Sequence, residues 1–288
     1  TRINGLLDAV GLTDRKIRMV ADIDPDHHIH YAPVTRRLEE MRRESMAFLT
    51  AALNGESGTT ALYQSKPFSL LPMQDRKKSD CSGCSACADI CPVAAISMQT
   101  DREGFLYPEI DAAKCIHCGK CDKVCGFLPK KAAEVGFTLP KAYGIKHKDT
   151  QTRKTSRSGG AFIAFSDEIL AQGGIIYGAA MQPDCTVRHI RAVSQAQRDQ
   201  MKGAKYVQSD VTGIYPQVAA DLRSGVPVLF SGTPCQVAGL LAMLDAMKIN
   251  RQNLICCDLV CHGVPSPAIW KDYVAHIEKT HGSPVITA

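Results

Sequence analysis

Cys81-Ser82-Gly83-Cys84-Ser85-Ala86-Cys87-Ala88-Asp89-Ile90-Cys91-Pro92 and, further on, Cys115-Ile116-His117-Cys118-Gly119-Lys120-Cys121-Asp122-Lys123-Val124-Cys125-Gly126 share one spacing, C-x2-C-x2-C-x3-C. Three thiolates two residues apart can fold around three corners of one 4Fe-4S cube, while the fourth, past a helical turn, points to a second cube. Crossed ligation follows: Cys81, Cys84, Cys87 and Cys125 for the first cluster, and Cys115, Cys118, Cys121 and Cys91 for the second. Paired C-x2-C motifs also bind tetrahedral zinc, but the third evenly spaced cysteine of each half is redundant for zinc and required for two cubes. Gly126 replaces the usual proline, which loosens the second exit turn without removing a ligand.

The pattern is that of two-cluster ferredoxins. Between its halves, Gly104-Phe105-Leu106-Tyr107-Pro108 predicts a hairpin whose apolar cover limits solvent access to the clusters. Eight of the chain's 13 cysteines fall in these 45 residues. A secreted disulfide scaffold would be short and stapled throughout, so metal binding in a reducing compartment is expected, and with it a cytoplasmic location. No secretory leader is visible, and the missing initiating Met suggests a fragment or processed chain. Across 288 residues, 34 Lys and Arg against 29 Asp and Glu give a net charge of +5 with no long basic block, so nucleic-acid binding gains no support. No apolar run approaches the roughly 20 residues of a membrane span.

Around the cysteines the chain divides into residues 1–78, a segment of unassigned role; 79–128, the two-cluster ferredoxin domain; 129–140, a linker; and 141–288, an α/β domain. The fold class expected is α+β, a two-cluster ferredoxin-like module followed by an α/β flavin-binding domain. In the first block, Ile17 to Ile23 reads as a strand and Arg36 to Leu53 as a helix, while His27, His28 and His30 fit no standard ligand spacing and read as a solvated loop. The last block predicts strands at 142–145, 174–180, 187–193, 226–230 and 254–260. They alternate with helices at 160–170, 213–222, 235–247 and 267–279.

Four strings in that block carry chemistry. Lys154-Thr155-Ser156-Arg157-Ser158-Gly159-Gly160 runs into an apolar helix, where free backbone N–H groups can cradle a phosphate. Gly203-Ala204-Lys205-Tyr206-Val207-Gln208-Ser209 offers an amine, an aromatic plane and hydroxyls that suit a nucleotide or flavin. Ser231-Gly232-Thr233-Pro234-Cys235-Gln236 puts Cys235 at a helix N-terminus, where a thiolate is stabilised. Cys261 and His262 lie in Asp258-Leu259-Val260-Cys261-His262-Gly263-Val264-Pro265-Ser266, at the carboxyl end of a strand, so both cysteines belong to the edge where open α/β sheets bind ligands. Cys185, Cys256 and Cys257 have no motif partners and read as buried small hydrophobes.

These strings behind a ferredoxin module resemble the beta-subunit family of coenzyme F-420 hydrogenases and dehydrogenases. The resemblance implies an iron-sulfur flavoprotein whose FAD exchanges hydride with a small-molecule carrier, such as a deazaflavin, and single electrons with the clusters. It also implies the other subunits of a redox complex as partners. Ser158, Gly159, Gly160, Lys205 and Ser209 match family segments near the flavin, with Thr233 taken alongside them. Cys235 and Cys261 match ligands of a third 4Fe-4S cluster whose two remaining ligands do not follow Cys261 in this sequence, and His262 is the candidate proton donor. The rival reading is a ferredoxin-type relay without flavin, docked on a larger oxidoreductase.

Overall fold

The computed structural model describes residues 31–53, 78–126, 141–156 and 158–285. The strand expected at 17–23, the three histidines and the linker at 129–140 lie outside them. The chain divides into two units, Thr1–Ser69 and Leu70–Ala288. In the first, helix α1 (Tyr31–Leu53) covers the helix expected from Arg36 and begins a turn and a half earlier.

The second unit opens with the cysteine segment. Its elements are α2 (Ala86–Asp89), a hairpin of β1 (Ile96–Thr100) and β2 (Leu106–Ile110), and α3 (Lys120–Val124). Asp101 closes the hairpin by accepting the Glu103 and Phe105 amides at 2.9 and 3.1 Å, so the expected turn forms with Leu106 to Pro108 inside its second strand. The two motifs lie 34 residues apart and repeat their backbone as well as their cysteines. Gly83 and His117, then Ser85 and Gly119, take left-handed conformations (φ +67°, +51°, +60°, +67°), and the second pair caps α2 and α3.

The α/β part follows with α4 (Thr150–Thr155), α5 (Ala161–Ala171), β3 (Ile175–Met181), β4 (Val187–Ala192), α6 (Gln195–Asp199) and β5 (Ser209–Asp210). It ends with α7 (Ile214–Arg223), β6 (Val228–Gly232), α8 (Pro234–Ala246), β7 (Leu254–Asp258) and α9 (Pro267–His281). The strands form one mixed sheet in the order β5-β4-β3-β6-β7, with β3 antiparallel to β4 and parallel to β6. The central strand is apolar on both faces because both are covered. Tyr177 and Phe230 pack with α7 and α8 on one side, and Ile176 and Leu229 pack with Ile169 of α5 and Met201 on the other.

The expected strand at 142–145 is absent. Among the described residues no strand pairs with 141–147, Tyr143 is 73% exposed, and the end of the segment is tied by the His147 amide on the Gly159 carbonyl at 2.6 Å and by Arg153 of α4 donating to the His147 carbonyl. Cys185 is buried as expected, whereas Cys256 and Cys257, on edge strand β7, are only partly covered. Among the described residues no helix is long and apolar enough to cross a membrane.

The cysteine segment shares a core with the sheet. Ala86 of α2 and Val124 of α3 are fully buried in the same cluster as Tyr215, Leu240 and Leu244 of α7 and α8.

Candidate metal centre and cofactor cavity

Four thiols from the two ends of the cysteine segment come together. Burial pushes the Cys84 thiol up to about 11, opposed by a hydrogen bond from the Ala86 amide and reinforced by the nearby charges of Cys81, Cys125 and Cys235. Cys87 is raised further by burial, with Cys84, Cys81 and Cys125 behind it. Cys125 thus lies near enough to Cys84 and Cys87 to act on both electrostatically. Cys81 Sγ accepts the Gly83 amide at 3.4 Å.

In the second set, burial raises the Cys121 thiol, followed by the charge of Asp122 and, further down, that of Cys118. Cys91 Sγ accepts the Ala95 amide at 3.2 Å, and Cys115 follows a turn closed on the Asp111 carbonyl. Among the described residues no three His, Cys, Asp or Glu side chains converge as a single metal ion would require. A cube is held at its corners, so its thiolates stand farther apart than the ligands of one ion. Buried thiols that raise one another are a donor set that cationic iron completes, because coordination ionises them outright. The residues therefore fit iron-sulfur clusters.

The halves sit in different surroundings. Gly213 at the start of α7 donates its amide to Asp89 Oδ1 at 2.8 Å, and Ser85 Oγ lies 3.0 Å from Thr212 Oγ1. Gln208 accepts the Leu106 amide at 3.1 Å and donates to the Ser82 carbonyl at 3.4 Å, tying hairpin and first motif to the sheet domain. On α8, a Cβ at Gly239 would stand 3.1 Å from Cys84 Sγ and 3.2 Å from the Tyr215 hydroxyl, so the helix interior gives up a side chain where the first motif's sulfur rests. Burial lifts Asp89 to about 6 despite the Gly213 and Tyr215 amides, and its Oδ2 is buried without a partner among the described residues. Sequence reasoning missed these docking residues. One signal was available, a glycine in the middle of an otherwise apolar helix.

The candidate flavin residues divide. Ser158, Gly159 and Gly160 line a cavity of about 210 Å³ together with Ile145, Phe162 and the Lys202-Gly203 turn. Gly160 has φ +76° at the N-cap of α5, and a Cβ on Gly159 would strike the Ile145 carbonyl at 2.6 Å. Gly159 is thus packed against the Ile145 backbone, and Gly160 places the free backbone N–H groups of a helix start beside the cavity. Lys205 stands behind the cavity wall: its amine donates to the Lys202 carbonyl at 3.0 Å, and burial lowers it to about 8. Ser209 lies in β5 and is buried, its Oγ 2.7 Å from His189 Nδ1. Thr233 caps α8 in a reciprocal capping box with Gln236 and holds its Oγ1 3.1 Å from Cys235 Sγ.

Cys235 and Cys261 follow the adjacent parallel strands β6 and β7, whose ends are tied by the Leu259 amide on the Gly232 carbonyl at 3.1 Å. Cys235 neighbours Cys84 of the first motif, while Cys261 and exposed His262 lie in the turn after β7.

Residues 80–127 match the family model of the 4Fe-4S dicluster domain. Residues 226–286 match that of the C-terminal part of the coenzyme F420 hydrogenase/dehydrogenase beta subunit. No curated protein matches the chain. One chain thus carries a match to the 4Fe-4S dicluster domain and, C-terminal to it, a match to the coenzyme F420 hydrogenase/dehydrogenase beta-subunit family that its motifs resemble.

Proposed function

We propose that this chain is a two-cluster iron-sulfur flavoprotein subunit of an oxidoreductase complex, working in a reducing compartment such as the cytoplasm. In this reading Cys81, Cys84, Cys87 and Cys125 hold one cluster and Cys115, Cys118, Cys121 and Cys91 the other. FAD phosphate is cradled at Ser158, Gly159 and Gly160. Bound flavin and clusters supply the conversion between a two-electron hydride, exchanged with deazaflavin coenzyme F-420 or a similar carrier, and single electrons.

The protein's own residues position and shield these groups. Lys205 holds the Lys202-Gly203 turn that forms one wall of the cavity, Ser209 with His189 ties β5 to β4, and Thr233 fixes the helix start that presents Cys235. His262 stands at the carboxyl end of the sheet, where a proton donor to a bound carrier belongs. Cys235 and Cys261 would contribute to a third cluster if further chain supplied two ligands.

The observation that carries the reading is the doubled C-x2-C-x2-C-x3-C spacing of Cys81–Cys91 and Cys115–Cys125 inside a segment that matches a dicluster domain. Anaerobically reconstituted protein should contain about eight iron and eight sulfide per chain, the content of two cubes. It should also release FAD on denaturation. Iron and sulfide without flavin would leave the electron relay alone, and zinc without sulfide would overturn the cluster reading.

A further inference from the structure

The 34-residue repeat allows the halves to be compared position by position, and the comparison separates an inner end from an outer one. In the first half Gly83, Ser85, Ala86 and Cys87 are buried against the sheet domain. Their counterparts His117, Gly119, Lys120 and Cys121 are not buried, Cys118 is exposed where Cys84 is half-buried, and Ile116 is 59% exposed. Charge reverses as well. Asp89, which docks on α7, is replaced at the repeat position by Lys123, and Ala86 by Lys120. Lys120 and Lys123 stand three apart on α3, hence on one face, both exposed. Nearby Lys114 is engaged by Asp111 at 3.0 Å, and Asp122 shares the α3 turn.

We infer that the Cys115–Cys121 half is the electron port of the protein, docking a one-electron carrier protein whose own centre is ringed by carboxylates. An exposed apolar residue beside an exposed ligand cysteine lets two centres approach closely, and the flanking lysines steer an acidic partner. A cluster held by Cys115, Cys118, Cys121 and Cys91 would gain the one electron that the reduced partner loses, with no atom or proton transferred. The inference rests on the cluster reading above and adds which end faces outward and what charge it meets.

The test uses an acidic plant-type ferredoxin as the probe, with binding measured by calorimetry at low and high salt and electron transfer by stopped flow. Lys120→Glu with Lys123→Glu should weaken binding at low salt by about tenfold or more and slow transfer similarly, and the difference should shrink at high salt as screening grows. Arg223→Glu with Lys248→Glu, at the far ends of α7 and α8, should change either by less than about twofold. Iron content and the reduced-cluster spectrum are read on every sample. Intact clusters with unchanged ferredoxin binding in the Lys120/Lys123 variant, or an equal loss in the Arg223/Lys248 control, overturn the port alone. A parent protein without iron overturns the cluster reading and the port with it.

Discussion

Cys81–Cys91 and Cys115–Cys125 share their cysteine spacing and their left-handed turns, yet one half is part of the domain core and the other is largely surface. The cysteines therefore determine what is bound, and the residues between them determine where it sits. Gly83, Ser85, Ala86 and Asp89 are small or hydrogen-bonding and fit beneath Gln208, Thr212 and Gly213, whereas Ile116, His117, Lys120 and Lys123 have no such fit and face outward. One ligand pattern used twice can thus give two clusters in unlike surroundings, and surroundings tune a cluster's potential.

The strongest way to break the comparison is to remove one ligand from each half. Cys84→Ser and Cys118→Ser should each lower iron from about eight to about four per chain. Only Cys84→Ser should also lower the unfolding midpoint by several degrees, because Cys84 packs against the shared core and Cys118 is exposed. Equal midpoints for the two variants would remove the inner and outer distinction.

Next comes the backbone. Gly83→Ala places a Cβ 2.5 Å from Gln208 Nε2 and 2.7 Å from the Leu106 carbonyl at φ +67°, and should cost about 2–4 kcal/mol from strain and overpacking. His117→Ala, at the matching position where a side chain already exists, should stay within about 0.5 kcal/mol. Denaturant titration of the reconstituted proteins separates the two.

Acid should loosen the wall behind the docked half. His189 is buried, stacked on Phe230 and bonded to Ser209 Oγ and the Ser231 carbonyl, and burial lowers it to about 4. Its folded value lies below the ordinary 6.5, so its contribution is complete above pH 6.5 and is lost as pH falls from there toward 4. The loss should reach about 2 kcal/mol at pH 5 and flatten in His189→Gln, measured as stability against pH. A smaller effect than that of acid is expected for Gln208→Ala. It removes two hydrogen bonds between the halves of the unit at a cost of about 1–2 kcal/mol, and it should speed quenching of the first cluster by solvent oxidants more than that of the second.

Much of this was legible in the letters. The cysteine spacing pointed to the dicluster domain that residues 80–127 match, and apolar runs bounded by glycine and proline located β3, β4, β6 and β7 and the helices α7 and α8 within a few residues. Local apolar pattern misled at 142–145, where Tyr143 and Ile145 alternate as a strand would but find no neighbour to pair with. The two-residue β5 and the short helices α4 and α6 escaped because they are too brief to show a period. The docking of the cysteine segment was hidden for another reason. Single polar groups carry it, Asp89, Gln208 and Ser85 among them, and their partners lie more than 100 residues away in the chain. For the same reason the spacing that found the cavity residues Ser158, Gly159 and Gly160 could not tell that Lys205 holds the neighbouring turn and that Ser209 is bonded to His189 instead of lining the cavity.

Two cubes held by interleaved thiolates are tested most directly by spin integration of the electron paramagnetic resonance spectrum after dithionite reduction of fully reconstituted protein. Two reduced 4Fe-4S centres predict about two spins per chain, falling to about one in both Cys84→Ser and Cys118→Ser. Reconstituted protein that shows no iron-centred signal on reduction would contradict the paired cubes.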